Sequence, residues 1–256
     1  MDEEFIRDIS AVDYTSRVTI ENPFNMEACI KLKESTNARI CVGRAGARYK
    51  TETLLKFLAD HAAAMDSVWS YVDEDIIDKL GFLKVKTLVK DKEEYIKRPD
   101  LGKKFSKETI DMIKNKCIHD PDVQIIAADG LSAFAIDANL EDVYSILTDG
   151  LEAKGYKVGT PIFVKYGRVA TMDMISEALN AEVTVLLVGE RPGLVTNESM
   201  SSYMAYHSSI SKPESQRTVV SNIYKDGTPP VEAGAQIMYL IELMMKKKKS
   251  GIDLKI

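Results

Sequence analysis

Residues 182–194 of this 256-residue chain read Glu182-Val-Thr-Val-Leu-Leu-Val-Gly-Glu-Arg-Pro-Gly-Leu194. Residues 183–188 form a continuous apolar run rich in β-branched side chains, which is typical of a strand covered on both faces of a parallel sheet. Two glycines enclose the charged turn that follows, so the chain leaves the strand abruptly. Because ligands of open α/β sheets bind beyond the carboxyl ends of the strands, Glu190 and Arg191 are the first candidates for ligand contact.

Two further apolar runs precede this strand, and helical patterns separate them. Residues 123–128 and 162–164 have the pattern of short buried strands, and helical repeats cover residues 140–154 and 171–179. Strands that alternate with helices of this length are typical of parallel βαβ units. The sequence therefore predicts an α/β fold, with a Rossmann-like parallel sheet in the C-terminal part and a helix-rich N-terminal part.

The predicted domains follow from a change of pattern near Asp120-Pro121. Residues 1–12 have the apolar spacing of a short amphipathic helix and lead into irregular sequence, whereas helical periodicity dominates residues 26–120. We expect an N-terminal segment and linker at 1–25, a helix-rich domain at 26–120 and a Rossmann-like domain at 121–256.

A long helix is predicted to begin at about Thr51. Leu54, Leu58, Met65 and Trp69 recur in it every three or four residues. This spacing places them on one face, and we expect that face to pack inward.

The composition indicates a soluble globular protein. Apolar residues make up 45% of the chain, charged residues make up 29%, and the net charge is −5. An acidic balance argues against a general nucleic-acid binder, and no apolar run is long enough to span a membrane. The three cysteines are widely spaced and indicate neither a disulfide framework nor a thiolate metal site. We expect a cytoplasmic protein with no nucleic-acid or membrane partner.

The sequence gives little support for catalysis by this chain alone. It contains no Gly-x-Ser-x-Gly motif, and its three histidines share no metal-binding spacing. Ser132 follows a predicted strand but has no identifiable base, so we interpret it as a helix cap. The glycines at positions 43–46 precede a helix but match neither of the usual phosphate-binding motifs.

Polar turns follow all three predicted strands, at residues 129–132, 166–169 and 189–193. Because the carboxyl ends of parallel strands meet at one edge of a sheet, these turns are expected to form one rim that can bind a large ligand. The simpler interpretation, that they are only glycine-rich connections between strands and helices, stays open.

Ten short motifs, in the same order, give the chain a resemblance to the small subunit of ethanolamine ammonia-lyase from about Ala38 onward. Each motif alone is weak, but ten in register are highly specific. The motifs are Val42-Gly-Arg-Ala-Gly46, Ala59-Asp-His-Ala-Ala-Ala64, Lys92-Glu-Glu-Tyr95, Arg98-Pro-Asp-Leu-Gly102, Asp129-Gly-Leu-Ser-Ala133, Tyr166-Gly-Arg-Val169, Met172-Asp173, Val188-Gly-Glu-Arg-Pro-Gly-Leu194, Ser221-Asn222-Ile223 and Pro229-Pro230.

The resemblance implies a role in an adenosylcobalamin-dependent lyase, which converts ethanolamine into acetaldehyde and ammonia by radical rearrangement. In this family the small subunit covers a cobalamin seated on the barrel of a large subunit, and the large subunit holds most of the substrate. The implied partners are therefore the large subunit, in a hetero-oligomer, and the cofactor. No catalytic residue is expected in this chain.

The resemblance also implies which residues contact the cofactor. They are Val169 with its neighbour Arg168 in the Gly-Arg-Val turn, Glu190 in the Gly-Glu-Arg-Pro-Gly turn, and Val220, which stands where a cysteine is common. A carboxylate at position 190 suits the amide side chains on the rim of a corrin. None of the histidines has the Asp-x-His-x-x-Gly context of a cobalt ligand, so the cofactor is expected to keep its own nucleotide base on the metal.

Enzymes of this pathway resemble cargo of bacterial microcompartments, whose targeting peptides are short terminal helices. We therefore interpret residues 1–12 as a targeting helix and expect a location inside such a compartment. Two other functions stay open: a stand-alone module that binds a nucleotide-like ligand, and a purely structural or targeting subunit.

Overall fold

The computed structural model describes Tyr14 and residues 17–255, and the helix predicted at residues 1–12 lies outside them. Contacts within the chain define two compact units. One runs to Asp66 and includes Gly193–Thr196, and the other comprises Ser67–Pro192 and Asn197–Ile256. No helix within the described residues is long and apolar enough to cross a membrane.

The first unit contains a helix, a small hairpin and most of a long second helix. Their bounds are α1 Met26–Glu34, β1 Arg44–Ala45, β2 Arg48–Tyr49 and α2 Thr51–Trp69. Gly46 adopts a left-handed conformation, with φ 63°, in the tight turn between β1 and β2. The glycines considered above for phosphate binding therefore build a hairpin.

The apolar face of α2 is largely exposed. Leu54, Leu58 and Met65 retain 44%, 52% and 47% of their accessible surface. The prediction that this face packs inward is wrong, because helical periodicity identifies an apolar face but not the surface that covers it.

The second unit holds the remaining helices and strands. They are α3 Glu74–Lys79, β3 Leu83–Lys86, α4 Lys92–Lys97, α5 Lys107–Lys116, β4 Val123–Ala128, α6 Ala133–Ala153, β5 Ile162–Lys165, α7 Thr171–Leu179, β6 Val183–Gly189, β7 Met200–Tyr206, β8 Thr218–Ile223 and α8 Pro230–Lys247.

Six of these strands form one mostly parallel sheet, in the order β3-β5-β4-β6-β7-β8. The pairs β3–β5, β5–β4 and β4–β6 are parallel, whereas β6–β7 and β7–β8 are antiparallel. The predicted α/β class is confirmed, and the sheet, predicted as parallel, is mostly parallel with two antiparallel strand pairs. The antiparallel edge arises because β7 and β8 each follow the preceding strand through a loop that reverses the chain, without a crossover helix.

Strand β3 joins the sheet from the region before Asp120. It pairs with β5 in parallel, with Leu83 opposite Ile162, so the sheet draws on sequence from both sides of the predicted domain boundary. This short edge strand alternates lysines with apolar residues, and exposed lysines are a common feature of edge strands.

The core lies on both faces of the sheet. Every residue of β4 and β6 is buried, as expected for central strands covered on both sides. Leu140 of α6 and Ile237 of α8 belong to the cluster on one face, and Ile113 of α5 and Ile175 of α7 belong to the cluster on the other. This arrangement leaves the carboxyl ends of the strands to the connecting turns.

Candidate functional site

The three turns predicted to form one rim do meet. Because β5, β4 and β6 are parallel neighbours, the turns after them lie at the same edge of the sheet. The Asp129 carboxylate accepts the backbone N–H groups of Tyr166, at 2.9 Å, and of Gly167, at 3.1 Å. The backbone N–H of Leu131 donates to the Gly189 carbonyl at 2.9 Å. Hydrogen bonds thus join all three turns.

Two glycines permit this close approach. Gly130 has φ 57°, and a Cβ atom there would lie 2.1 Å from the Gly189 carbonyl oxygen. A Cβ atom on Gly189 would lie 2.0 Å from the Ser132 carbonyl oxygen. Side chains at these positions would force the first and third turns apart, so their glycines have a structural role.

Arg168 is bound by residues of its own chain. Its backbone N–H donates to the Gly102 carbonyl and its Nη2 donates to the Tyr95 carbonyl, both at 2.9 Å. Its guanidinium carbon lies 4.1 Å from the centroid of the Tyr95 ring. The Nε atom is buried and has no hydrogen-bond partner among the described residues. Because an unpaired buried donor is costly, Nε is suited to an acceptor on a ligand.

Val169 and Arg168 line an open cleft of about 410 Å³. Val169 is half-buried and packs against the apolar cluster that contains α7. The other residues of the cleft combine apolar surface with charge, and they are Pro99, Lys103, Ala170, Tyr203, Glu214, Arg217 and Val219. The cleft therefore offers an apolar wall bordered by polar groups.

Glu190 is linked to this cleft through Tyr203. The Tyr203 hydroxyl donates to Glu190 Oε1 at 3.0 Å, and the Glu190 backbone N–H donates to the Ser199 carbonyl at 3.0 Å. Burial and the Glu190 carboxylate raise the pKa of Tyr203 to about 12. The phenol therefore stays protonated and can hold the carboxylate across the physiological pH range.

Val220 is placed differently from the other predicted contacts. Its side chain is 5% exposed and belongs to the cluster beneath α6 and α8, whereas Val219 lines the cleft and is 45% exposed. Successive residues of a strand point to opposite faces. The structure thus brings Arg168 and Val169 together, links Glu190 to them through Tyr203, and turns the Val220 side chain away.

A buried ion pair supports the far wall of the cleft. Arg217 Nη2 lies 2.7 Å from Asp173 Oδ2, and both side chains are less than one-tenth exposed. Ser208 donates to the other oxygen of Asp173 at 2.6 Å. These contacts fix the Arg217 guanidinium between the start of β8 and helix α7.

Two ionisable side chains are buried at the first turn: Asp129, which belongs to the turn, and Lys92. They are 2% and 3% exposed, and Lys92 Nζ has no hydrogen-bond partner in the described part of the chain. Burial raises the pKa of Asp129, although Lys92 and the turn N–H groups oppose the rise. Burial also lowers the pKa of Lys92, and Asp129 opposes that change. Each charge thus partly offsets the desolvation cost of the other.

The structure confirms Ser132 as a helix cap. Its Oγ accepts the backbone N–H of Ala135 at 3.1 Å and lies 2.7 Å from Ser67 Oγ. All three histidines, which are His61, His119 and His207, are exposed. The expectation that none of them ligates cobalt stays a prediction.

Reasoning from sequence missed Tyr203, Arg217 and Val219 as parts of the site. Val219 lies in β8 and Arg217 directly precedes it, and the sequence patterns predict no strand there. A signal for Tyr203 exists, because alternation along β7 places it on the face opposite Ser202. Only the pairing of β6 with β7 shows that it reaches Glu190.

Comparison with known families decides where the chain belongs. The family described as ethanolamine ammonia-lyase light chain (EutC) has a model that matches residues 26–255. The chain belongs to the ethanolamine ammonia-lyase light-chain family. The resemblance inferred from the ten motifs is therefore confirmed.

Curated relatives of this light-chain family are similar along almost their whole length, and each is named ethanolamine ammonia-lyase small subunit. The protein from Clostridium acetobutylicum is 68% identical over 90% of this chain and 95% of the relative. The protein from Clostridium perfringens is 54% identical over 99% of this chain and 86% of the relative. The protein from Listeria monocytogenes serotype 4a is 49% identical, with the same coverage as the C. perfringens protein.

Proposed function

We propose that this chain is the cobalamin-covering subunit of an adenosylcobalamin-dependent ethanolamine ammonia-lyase, active only with a large barrel subunit. The observation that carries the proposal is the shared rim. Arg168 and Val169 line one cleft there, and Glu190 is hydrogen-bonded to Tyr203 of the same cleft. Membership of the light-chain family supports a large-subunit partner, and the resemblance to that family motivates cobalamin as the ligand.

The residues of the cleft fit a corrin in their chemistry. Val169 and Val219 provide apolar surface for the ring, and Glu190 accepts hydrogen bonds from the amide groups on its rim. The unpartnered Nε of Arg168 is a donor for an amide carbonyl. The cleft is open and supplies one wall, which supports a cofactor shared with a second subunit.

The proposed task of this chain is to bind, orient and shield. When bound, adenosylcobalamin supplies the radical that starts the conversion of ethanolamine into acetaldehyde and ammonia. The apolar wall at Val169 excludes water from the covered face, and Glu190 fixes the orientation of the ligand. We assign no proton transfer to this chain and propose that the large subunit holds the substrate.

Val220 is proposed to contribute through its backbone. Its side chain is buried in the core, so an apolar or thiol contact from that side chain would require the strand to turn over. A valine in place of the common cysteine is compatible with this role, because the backbone is the same for both residues.

Reconstitution with the large subunit tests the proposal. The chain is co-expressed with the large subunit, and complex formation, retained cobalamin and ethanolamine-dependent ammonia release are measured. We expect the pair to retain cobalamin and to be active, and each chain alone to do neither. Tight binding of a nucleotide by this chain alone, without pairing, would favour the stand-alone module. Pairing with cofactor retention and activity that do not depend on this chain would favour a structural subunit.

We also propose that residues 1–12 direct the assembled enzyme into a bacterial microcompartment. The support is the amphipathic spacing of these residues and membership of the light-chain family. Deletion of residues 1–12 should leave ethanolamine-dependent activity unchanged and reduce the fraction of enzyme that co-purifies with compartment shells. Unchanged packaging would count against this role.

A further inference from the structure

The 166–169 turn is held by side chains from three other parts of the chain. Asp129 accepts the N–H groups of Tyr166 and Gly167. Thr87 Oγ1 donates to the Tyr166 carbonyl at 3.0 Å, and the Tyr95 hydroxyl donates to the Gly167 carbonyl at 2.9 Å. All three side chains are less than one-tenth exposed. Two consecutive residues, Tyr166 and Gly167, thereby have both their backbone N–H and their backbone C=O bonded.

The conformation held in this way is a strained one. Tyr166 has φ 59°, in the left-handed region that a bulky aromatic residue rarely adopts. Such a residue persists only where its surroundings over-determine it, and strain of this kind concentrates at ligand-binding sites. The last two residues of the same turn, Arg168 and Val169, line the cleft.

The segment that carries Tyr95 contacts this turn at more than one point. Lys92 Nζ lies 5.5 Å and 5.7 Å from the ring centroids of Tyr71 and Tyr95, close to the buried Asp129. The Gly102 carbonyl binds the Arg168 N–H, and a Cβ atom at Gly102 would lie 2.9 Å from Arg168 Cγ. The segment from Lys92 to Gly102 is therefore shaped around the backbone of this turn.

We propose that Asp129, Thr87 and Tyr95 are positioning residues, which hold the strained 166–169 turn so that Arg168 and Val169 face the corrin. The inference rests on the proposed function for its ligand. The part of the inference that concerns structure, namely that Asp129 fixes the turn, depends only on contacts within this chain. None of the three residues contacts the cofactor; they act through the peptide groups of the turn.

The first test replaces Asp129 by asparagine. The D129N amide can accept only one of the two N–H groups, because its own N–H groups face donors. Asp122→Asn is the matched control: Asp122 lies just before β4 as Asp129 lies just after it, and its Oδ2 accepts the Lys157 N–H at 2.7 Å. Each variant replaces one carboxylate that accepts a backbone N–H. Asp122 lies at the amino end of β4, and Asp129 lies at its carboxyl end. Intact mass verifies that the Asn-Gly sequence created by D129N has not deamidated.

Three readouts are taken on the complex with the large subunit: hydrogen–deuterium exchange, cobalamin binding and catalytic turnover. Hydrogen–deuterium exchange of residues 166–168 is expected to accelerate at least tenfold in D129N and to stay unchanged in D122N. Cobalamin binding, followed by its absorbance, is expected to weaken at least tenfold in D129N alone. Catalytic turnover at saturating cofactor should fall less than twofold, because the residue acts on binding geometry. Unchanged exchange, or faster exchange with unchanged binding, would overturn the inference.

A milder variant keeps the test decisive if D129N does not fold. The double variant T87V/Y95F removes two hydrogen bonds to the turn. It keeps an aromatic ring at position 95, in contact with the Arg168 guanidinium. It should show the same two effects, with cobalamin binding weakened severalfold, and wild-type binding would contradict the inference. If the wild-type complex bound no cobalamin while exchange still accelerated in D129N, the proposed function would fail but the role of Asp129 in the turn would stand.

Discussion

The Tyr203 hydroxyl donates a 3.0 Å hydrogen bond to Glu190 Oε1, which joins an antiparallel strand to the turn after a parallel one. Tyr203 lies opposite Leu186 in the β6–β7 pair. Its hydroxyl bonds to the turn that follows β6, at the carboxyl end of the last parallel strand. Tyr203 also lines the cleft beside Val169. The hydrogen bond thereby fixes the Glu190 carboxylate next to the proposed corrin face.

Removal of this hydroxyl should weaken cofactor binding. We expect Tyr203→Phe to raise the cobalamin dissociation constant of the assembled enzyme about fivefold to tenfold, because the net contribution of one hydrogen bond is roughly 1–1.5 kcal/mol. Tyr206→Phe is the matched control. Tyr206 lies on the same strand and donates to Glu182 Oε1 at 3.3 Å, at the amino end of β6 and away from Glu190. Equal dissociation constants for Y203F and Y206F would show that Tyr203 does not orient Glu190.

The same contact predicts a dependence of stability on alkaline pH. The pKa of Tyr203 is about 12 in the folded chain, above the ordinary value of 10, so folding favours the protonated phenol. Its contribution to stability is complete below pH 10 and is lost as the pH rises from 10 towards 12. The free energy of unfolding of the wild type should therefore fall more steeply above pH 10 than that of Y203F, measured by urea unfolding. Parallel curves would exclude a raised pKa at Tyr203.

Two neighbouring valines of β8 should behave in opposite ways. Val220→Ala is expected to lower the free energy of unfolding by about 2 kcal/mol through lost core packing, with cobalamin binding unchanged. Val219→Ser is expected to weaken cobalamin binding about fivefold, or ~1 kcal/mol, with little loss of stability because Val219 is 45% exposed. Urea unfolding and cobalamin titration separate the two effects. Weaker binding in V220A with normal stability would mean that its side chain reaches the ligand.

Ser132 provides a test of the helix-cap interpretation. Ser132→Ala should lower the free energy of unfolding by about 1 kcal/mol, because the Ala135 N–H loses its acceptor. Activity of the complex at saturating cofactor should stay within twofold of the wild type. A loss of activity by several orders of magnitude would instead identify Ser132 as a nucleophile.

Local sequence patterns were sufficient for the centre of the fold. Residues 123–128, 162–164 and 183–188 are mostly apolar on both faces, which is typical of strands inside a parallel sheet. These strands also predict the rim. Parallel strands end at the same edge of a sheet, so the turns after them lie together whatever the orientation of the side chains. Three of the four residues expected to contact the cofactor lie at this rim.

The remaining features depend on contacts between distant residues. The alternation of residues 82–89 predicts a strand, and β3 lies within that range, but only its pairing with β5 shows that it belongs to the parallel sheet. The fourth expected contact, Val220, turns into the core because the register of β8 against β7 decides which of two adjacent valines faces the cleft. The exposed face of α2 shows the same limit, since periodicity does not specify a partner surface.

A titration of the assembled enzyme with adenosylcobalamin tests the proposed role of Glu190 most directly. Glu190→Gln keeps the size of the side chain and removes the charge. Arg191→Gln is the control, because Arg191 is exposed and the family resemblance assigns it no cofactor contact. We predict at least tenfold more cofactor for half-saturation in E190Q, and the wild-type requirement in R191Q, because a carboxylate accepts hydrogen bonds more strongly than an amide. The same half-saturation for E190Q and wild type would contradict the role of this rim in covering the cobalamin.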